Sequence, residues 1–83
     1  MTGQELFDGV QGVFRSVFED EGLIIRREMQ AADVPGWDSF AHVNLIVALE
    51  MHFGVTFPLS EVAELTCVGD VIDTIARKVG VDQ

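Results

Sequence analysis

The stretch Pro35-Gly36-Trp37-Asp38-Ser39-Phe40 places a carboxylate and a hydroxyl side by side where a strongly helical run begins. An aspartate in that place caps the helix by accepting from a first-turn amide, which puts Ser39 at the first helical position with its hydroxyl pointing outward. A phosphate carried on that hydroxyl would lie at the positive end of the helix dipole, beside backbone N–H groups that have no helical partner. Taken alone, an Asp-Ser pair at a helix start means no more than capping.

The other side chains that could do chemistry are dispersed. His42 and His52 are ten residues apart on one predicted helix, too far to share an ion, and no third ligand stands at a useful spacing, so no metal site is expected. We read His42 as partly buried and hydrogen-bonded, and His52 as solvated. Glu19, Asp20 and Glu21 lack the oxygen-ligand spacing of a calcium loop. Cys67 is the one cysteine; this excludes an intramolecular disulfide and a thiolate zinc cage, and the residue is read as small, buried and apolar rather than reactive. No nucleophile, base and oxyanion donor form a set, so no enzyme is expected.

These residues need elements to position them. From Gln4 to Phe18 the apolar residues Leu6, Phe7, Val10, Val13, Phe14, Val17 and Phe18 recur at helical spacing and predict an amphipathic helix. Glu5 and Asp8 lie in its first turns, and its end is expected near Glu19 to Glu21 with Gly22 as the C-cap glycine. Residues 22 to 37 show no sustained period. A connection of that length implies an ordered loop whose apolar side chains, Leu23, Ile24, Ile25, Met29 and Val34, tuck into the core, with a short helical turn near Arg27 to Ala31. A second helix is predicted from Ser39 to Phe53, capped by Asp38 and followed by Gly54. After the extended VTF segment and Pro58, a short helix is expected over Glu61 to Leu65 with Ser60 as cap. The last should run from Cys67 to Val79, capped by Thr66, with Val68, Val71, Ile72, Ile75 and Val79 as its apolar stripe. No strand pattern is present, and the prediction is an all-α, small four-helix bundle with a long first loop and a short third helix.

Composition bounds the function. At 83 residues with 48% apolar side chains the chain reads as one domain, 1–83, whose core must come from packing. Its apolar runs are too short to span a bilayer, and no basic-plus-apolar leader opens it, so no membrane association and a cytoplasmic location are expected. Fourteen acids against five bases give a net charge of −9, which excludes nucleic acid as a partner and favours basic protein partners.

With these elements in place the sequence resembles the acyl carrier and peptidyl carrier protein family, in which an Asp-Ser-Leu site opens the second helix of a four-helix bundle. The resemblance rests on GWDSF at 36 to 40, HVNLIVALE at 42 to 50, FGVTFP at 53 to 58 and TCVGDVIDTI at 66 to 75, and extends over essentially the whole chain. It implies that a phosphopantetheinyl transferase moves phosphopantetheine from coenzyme A onto Ser39, with Asp38 as helix cap and transferase contact. The resulting flexible arm ends in a thiol that holds an acyl group as a thioester and carries it between active sites. The implied partners are that transferase, an acyl- or aminoacyl-loading enzyme, and downstream synthase or transferase enzymes, met by a monomeric carrier.

On the second helix, Phe40, Val47 and Met51 fall within roughly 40° of one another at 100° per residue, opposite His42, Leu45, Ile46, Leu49 and Phe53. The second set is what the family buries. Phe40, Val47 and Met51 would then form an exposed, partner-facing stripe, to which Val68 at the start of the last helix is added; the competing reading is that the long loop covers part of the row. Two departures from fatty-acid carriers stand out. Phe40 replaces the usual leucine, and Glu50 is the one acid of the second helix, where Ala41, Asn44, Met51 and His52 stand at positions often acidic. Trp37 is read as a structural staple packing near His42, while the WDS variant also resembles discrete carriers of bacterial specialised metabolism. The resemblance therefore points to a stand-alone acyl carrier for polyketide or related secondary-metabolite (antibiotic) biosynthesis. The alternatives are a free-standing peptidyl carrier loaded with an amino acid, or an unmodified carrier-fold interaction module.

Overall fold

A computed structural model describes residues 2–80; Met1 and residues 81–83, the two ends of the expected domain, lie outside the described residues. Helix α1 spans Gly3–Val17, α2 Ser39–Phe53, α3 Leu59–Glu64 and α4 Val68–Val79. Among the described residues there is no strand, only an isolated antiparallel bridge between Gln30 and Cys67. The fold is the all-α four-helix arrangement expected, and among the described residues no helix is long and apolar enough to cross a membrane.

The start of α1 is closed by reciprocal bonds. The Glu5 amide donates to the Thr2 hydroxyl at 3.1 Å, and the Thr2 amide donates to the Glu5 carboxylate at 3.0 Å, which satisfies two N-terminal donors at once. The Thr2 backbone N–H is the main reason the Glu5 carboxyl is held below its usual value. At the other end the expected Gly22 cap is not used. Glu19 takes the left-handed position, φ 52°; its amide donates to the Ser16 carbonyl at 3.4 Å, and that of Asp20 to the Arg15 carbonyl at 3.0 Å. This pair of bonds is a Schellman closure. The helix stops where its apolar period stops, so the turn falls on Glu19 although a glycine stands three residues later.

The long loop is ordered and tied on both sides. From α1, Arg15 Nε donates to the Leu23 carbonyl at 2.7 Å, and Gln11 Oε1 accepts from the Ile25 amide at 3.0 Å. Towards α4, the Met29 and Arg27 carbonyls accept from the amides of Val68 and Gly69, both at 2.9 Å; these are first-turn donors that a helix cannot satisfy itself. A Cβ on Gly69 would come within 3.1 Å of the Arg27 carbonyl oxygen, so the close approach depends on glycine there. Ile25, Met29 and Val34 are buried as expected and Leu23 is half-buried, but Ile24 is exposed. The short helical element is a 3-10 turn at Ala31–Asp33, later than predicted.

Two predicted caps are corrected. Pro58, not Ser60, precedes α3; its fixed φ of −60° starts the helix, and its carbonyl accepts from Glu61 and Val62 at 2.9 and 3.1 Å, leaving Ser60 inside the first turn. Thr66 does not cap α4. Cys67 holds that position, half-buried rather than buried, while the Thr66 hydroxyl and amide both donate to Asp70 at 2.7 and 3.1 Å. A carboxylate in the first turn reaching back satisfies the chain before the helix and favours the dipole.

The core lies where α1 packs along α2 and against α4. Leu6, Val10 and Phe14 meet Leu45 and Leu49 of α2 and Val68, Val71 and Ile75 of α4, all fully buried. Gly9 of α1 lets α2 approach closely, since a Cβ there would lie 3.0 Å from the Phe53 ring.

Candidate functional site

The approach to Ser39 is set by a tight turn. Trp37 donates its amide to the Val34 carbonyl at 3.1 Å, with Pro35 second in the turn and Gly36 third at φ 88°; this is the type II pattern, which requires a residue that tolerates positive φ at the third position. Asp38 then takes an extended conformation, φ −114° and ψ −172°. Its Oδ1 accepts from the Ala41 amide at 2.8 Å, the N-cap expected from the sequence. Ser39 is the first residue of α2 and is exposed. Among the described residues the amides of Ser39 and Phe40 have no protein acceptor. An anion attached to the Ser39 oxygen therefore meets open space and unpartnered N–H groups, and the residues present fit a phosphodiester.

Beside Ser39 runs a groove of 430 Å³ lined by Trp37, His42, Val62, Leu65 and Thr66 among others. Trp37 is buried and stands edge-on to Phe14, centroids 5.4 Å apart, so the staple reading is the one its packing supports. His42 is half-buried and hydrogen-bonded, and His52 is exposed, its ring edge-on to Phe53 at 4.7 Å. Among the described residues no three His, Cys, Asp or Glu side chains come together as metal ligands.

The outer face of α2 follows the predicted spacing. Phe40 is 77% exposed, Val47 49% and Met51 81%, and the long loop does not cover them. Val43, 57% exposed, belongs to the same row and was missed, although its place three residues after Phe40 and four before Val47 was there to read. Val68 is a correction: it is 0% exposed, because it lies on the buried face of α4 with Val71, Ile72 and Ile75, so it faces the core and is not part of an exposed row. Glu50, the one acid of α2, has a structural partner. Rather than lying free on the surface, its Oε2 accepts from the Phe57 amide at 2.8 Å and pins the segment after α2. The exposed face of α2 is thus largely apolar, with Asn44 and His52 as its polar members after Ser39, and it carries no free acid between Ser39 and Phe53.

An exposed, helix-opening serine beside a groove, on a four-helix fold, is the arrangement that the resemblance to carrier proteins implies. Residues 36–75 match the family model described as the phosphopantetheine attachment site. The chain is 32% identical over 77 residues to an acyl carrier protein of Acidothermus cellulolyticus, covering 93% of this chain and 92% of that one. It is 33% identical over 79 residues to one of Thermosynechococcus vestitus, covering 95% and 98%. The solution structure of the holo acyl carrier protein from Geobacter metallireducens superposes with a TM-score of 0.83 at 40% identity, over 89% of this chain and 85% of that one. The chain belongs to the acyl carrier protein family. It is accordingly a non-catalytic carrier of covalently attached phosphopantetheine, of a family that works with phosphopantetheinyl transferases and biosynthetic enzymes.

Proposed function

We propose that Ser39 is the attachment residue, that Asp38 contacts the transferase as well as capping α2, and that Phe40, Val43, Val47 and Met51 receive the partner enzymes. The observation that carries the reading is the exposed Ser39 at the first position of α2, with unpartnered amides beside it and an apolar row running away from it on one helix face. When bound, the arm supplies a terminal thiol that holds the acyl group as a thioester. The protein's own residues do the rest. Asp38 fixes where the helix begins, the first-turn amides favour the negative charge of the phosphodiester, and the α2 row offers partners apolar area.

The same face supports a reading of the cargo class. Glu50, the one acid of α2, is occupied by the Phe57 amide, so a partner meets hydrophobic side chains where a fatty-acid carrier presents several acids. We read this as a carrier for polyketide or related specialised acyl intermediates, with residues 1–83 acting as one monomeric domain in the cytoplasm. Competition loading tests it. The protein bearing its arm is offered malonyl and other acyl donors with their transferases, and amino acids with adenylating enzymes, and is then weighed intact. Acyl loading by enzymes of a polyketide-type pathway is expected; exclusive loading with an amino acid would make it a peptidyl carrier. Efficient service to fatty-acid synthase enzymes would remove the specialised assignment, and a chain that no transferase modifies would be an interaction module only.

A further inference from the structure

The imidazole of His42 is held through both nitrogens. Trp37 Nε1–H donates to His42 Nδ1 at 3.1 Å, and an indole N–H only donates, so the neutral ring carries its proton on Nε2. That nitrogen faces the Val62 carbonyl of α3 at 3.3 Å. The two rings lie 16° from parallel with centroids 6.0 Å apart, and Trp37 is itself anchored on Phe14 of α1 and on Phe18 just past its end. The side-chain link therefore leaves the chain at residue 37, rejoins it at 42, and spans Asp38 and Ser39. By contrast α3 has no side-chain cap, and its other polar side-chain tie is the Lys78–Glu61 pair at 2.8 Å. Trp37, Ser39, His42 and Val62 all border the one groove.

We infer that Trp37 and His42 are positioning residues for the Ser39 site, a clamp that holds the serine-bearing turn and α3 as one unit. The inference rests on the assignment of Ser39 as the attachment residue. Transfer forms the Ser39 Oγ–phosphorus bond and breaks the pyrophosphate P–O bond of coenzyme A. The adenosine bisphosphate leaves with the bonding pair, and the hydroxyl proton passes to the transferase or solvent. Neither Trp37 nor His42 touches the reacting atoms. They act by fixing the backbone at 38 and 39 while the far wall of the groove is already in place, so that the hydroxyl is presented in one orientation. A small displacement of a reacting atom is enough to slow a transfer substantially.

Three variants separate this role from packing. Trp37→Phe keeps an aromatic ring against Phe14 but loses the N–H together with part of the buried indole volume, so the His42 pair carries the separation: His42→Phe keeps the stack and loses both polar ties, and His42→Gln retains one acceptor and one donor. With coenzyme A and a broad-range transferase, Trp37→Phe and His42→Phe are expected to lower kcat roughly tenfold with little change in the KM for the carrier, and His42→Gln to recover to within about threefold of wild type. Nitrogen-proton NMR of the unmodified proteins is expected to show the amides of 38–41 and of 62–65 shifting together in Trp37→Phe. Wild-type kcat in the folded Phe variants, or His42→Gln as slow as His42→Phe, would overturn the inference, as would a Trp37→Phe spectrum unchanged at 62–65. Coupled amide shifts on a wild-type chain that accepts no arm would sustain the clamp and count instead against Ser39.

Discussion

Asp38 and Ser39 divide one task. The aspartate makes the helix begin where it does, and the serine, one residue on, inherits an exposed position at the positive end. Asp38→Ala removes the acceptor of the Ala41 amide and is expected to cost about 1 kcal/mol of stability by denaturant titration, with Asp38→Asn costing less; an Asp38→Ala protein as stable as wild type would mean that the cap contributes nothing. Asp70 gives a pH-dependent counterpart at the start of α4. The Thr66 hydroxyl, then its amide, hold its carboxyl below the ordinary aspartate value of 3.8. A folded value below the unfolded one means that the contribution is present in full above the usual aspartate range and fades as pH falls through the folded value. The wild-type advantage in melting temperature over Asp70→Asn should therefore shrink on acidification below the ordinary value, and a gap constant with pH would contradict the assignment. At this scale the sequence was legible for Asp38 and misleading for Thr66 and Ser60. A hydroxyl near a helix start is read as an acceptor by default, and nothing in residue order shows that Asp70 or Pro58 has taken the place.

Helix α2 bears the proposed attachment site, and it has two unlike faces. Leu45, Ile46 and Leu49 are buried while Phe40, Val43, Val47 and Met51 are open, so the helix is apolar nearly all round and its amphipathic signal is weak. Its boundaries were nonetheless readable because Asp38 and Gly54, at φ 67°, mark both ends. Which apolar face would be buried followed from the family resemblance and from angular position, not from polarity. Replacing Phe40 and Met51 with serine is expected to leave the thermal midpoint close to wild type, exposed positions being worth about 0.5 kcal/mol or less. The same change should lower the kcat/KM of loading enzymes several-fold. Loading unaffected by the double substitution would move the partner surface elsewhere. The role of Glu50 escaped the sequence because its partner, the Phe57 amide, is a backbone group in the next loop, and no pattern of residue types reports it. Val68, by contrast, stood in the apolar stripe read for α4, and its burial beside Val71, Ile72 and Ile75 follows that pattern.

Across the whole molecule, three helices share one small core and the 18–38 segment completes it. The loop is structural on both sides, fixed to α1 through Arg15 and Gln11 and to α4 through the Arg27 and Met29 carbonyls, with Arg27 also paired to Asp73 at 2.8 Å. Its apolar residues announced that it would be ordered, but not which carbonyls would close α4, since that depends on the packing of segments far apart in sequence. A core this small leaves little reserve. Leu49→Ala should cost about 2–5 kcal/mol, a large part of the about 5–15 kcal/mol available to a typical domain, and is expected to unfold the protein well below the wild-type denaturant midpoint; a loss under about 1 kcal/mol would mean that α1 and α2 collapse onto the gap.

Everything proposed for this protein depends on where the arm is attached. Treating the protein with coenzyme A and a broad-range transferase, then mapping the phosphopantetheine by tandem mass spectrometry, addresses this directly. The account predicts one added group, located on Ser39 within the peptide that contains residues 35–44 and lost in Ser39→Ala. A group found on any other residue, or a mass gain that survives Ser39→Ala, would contradict it.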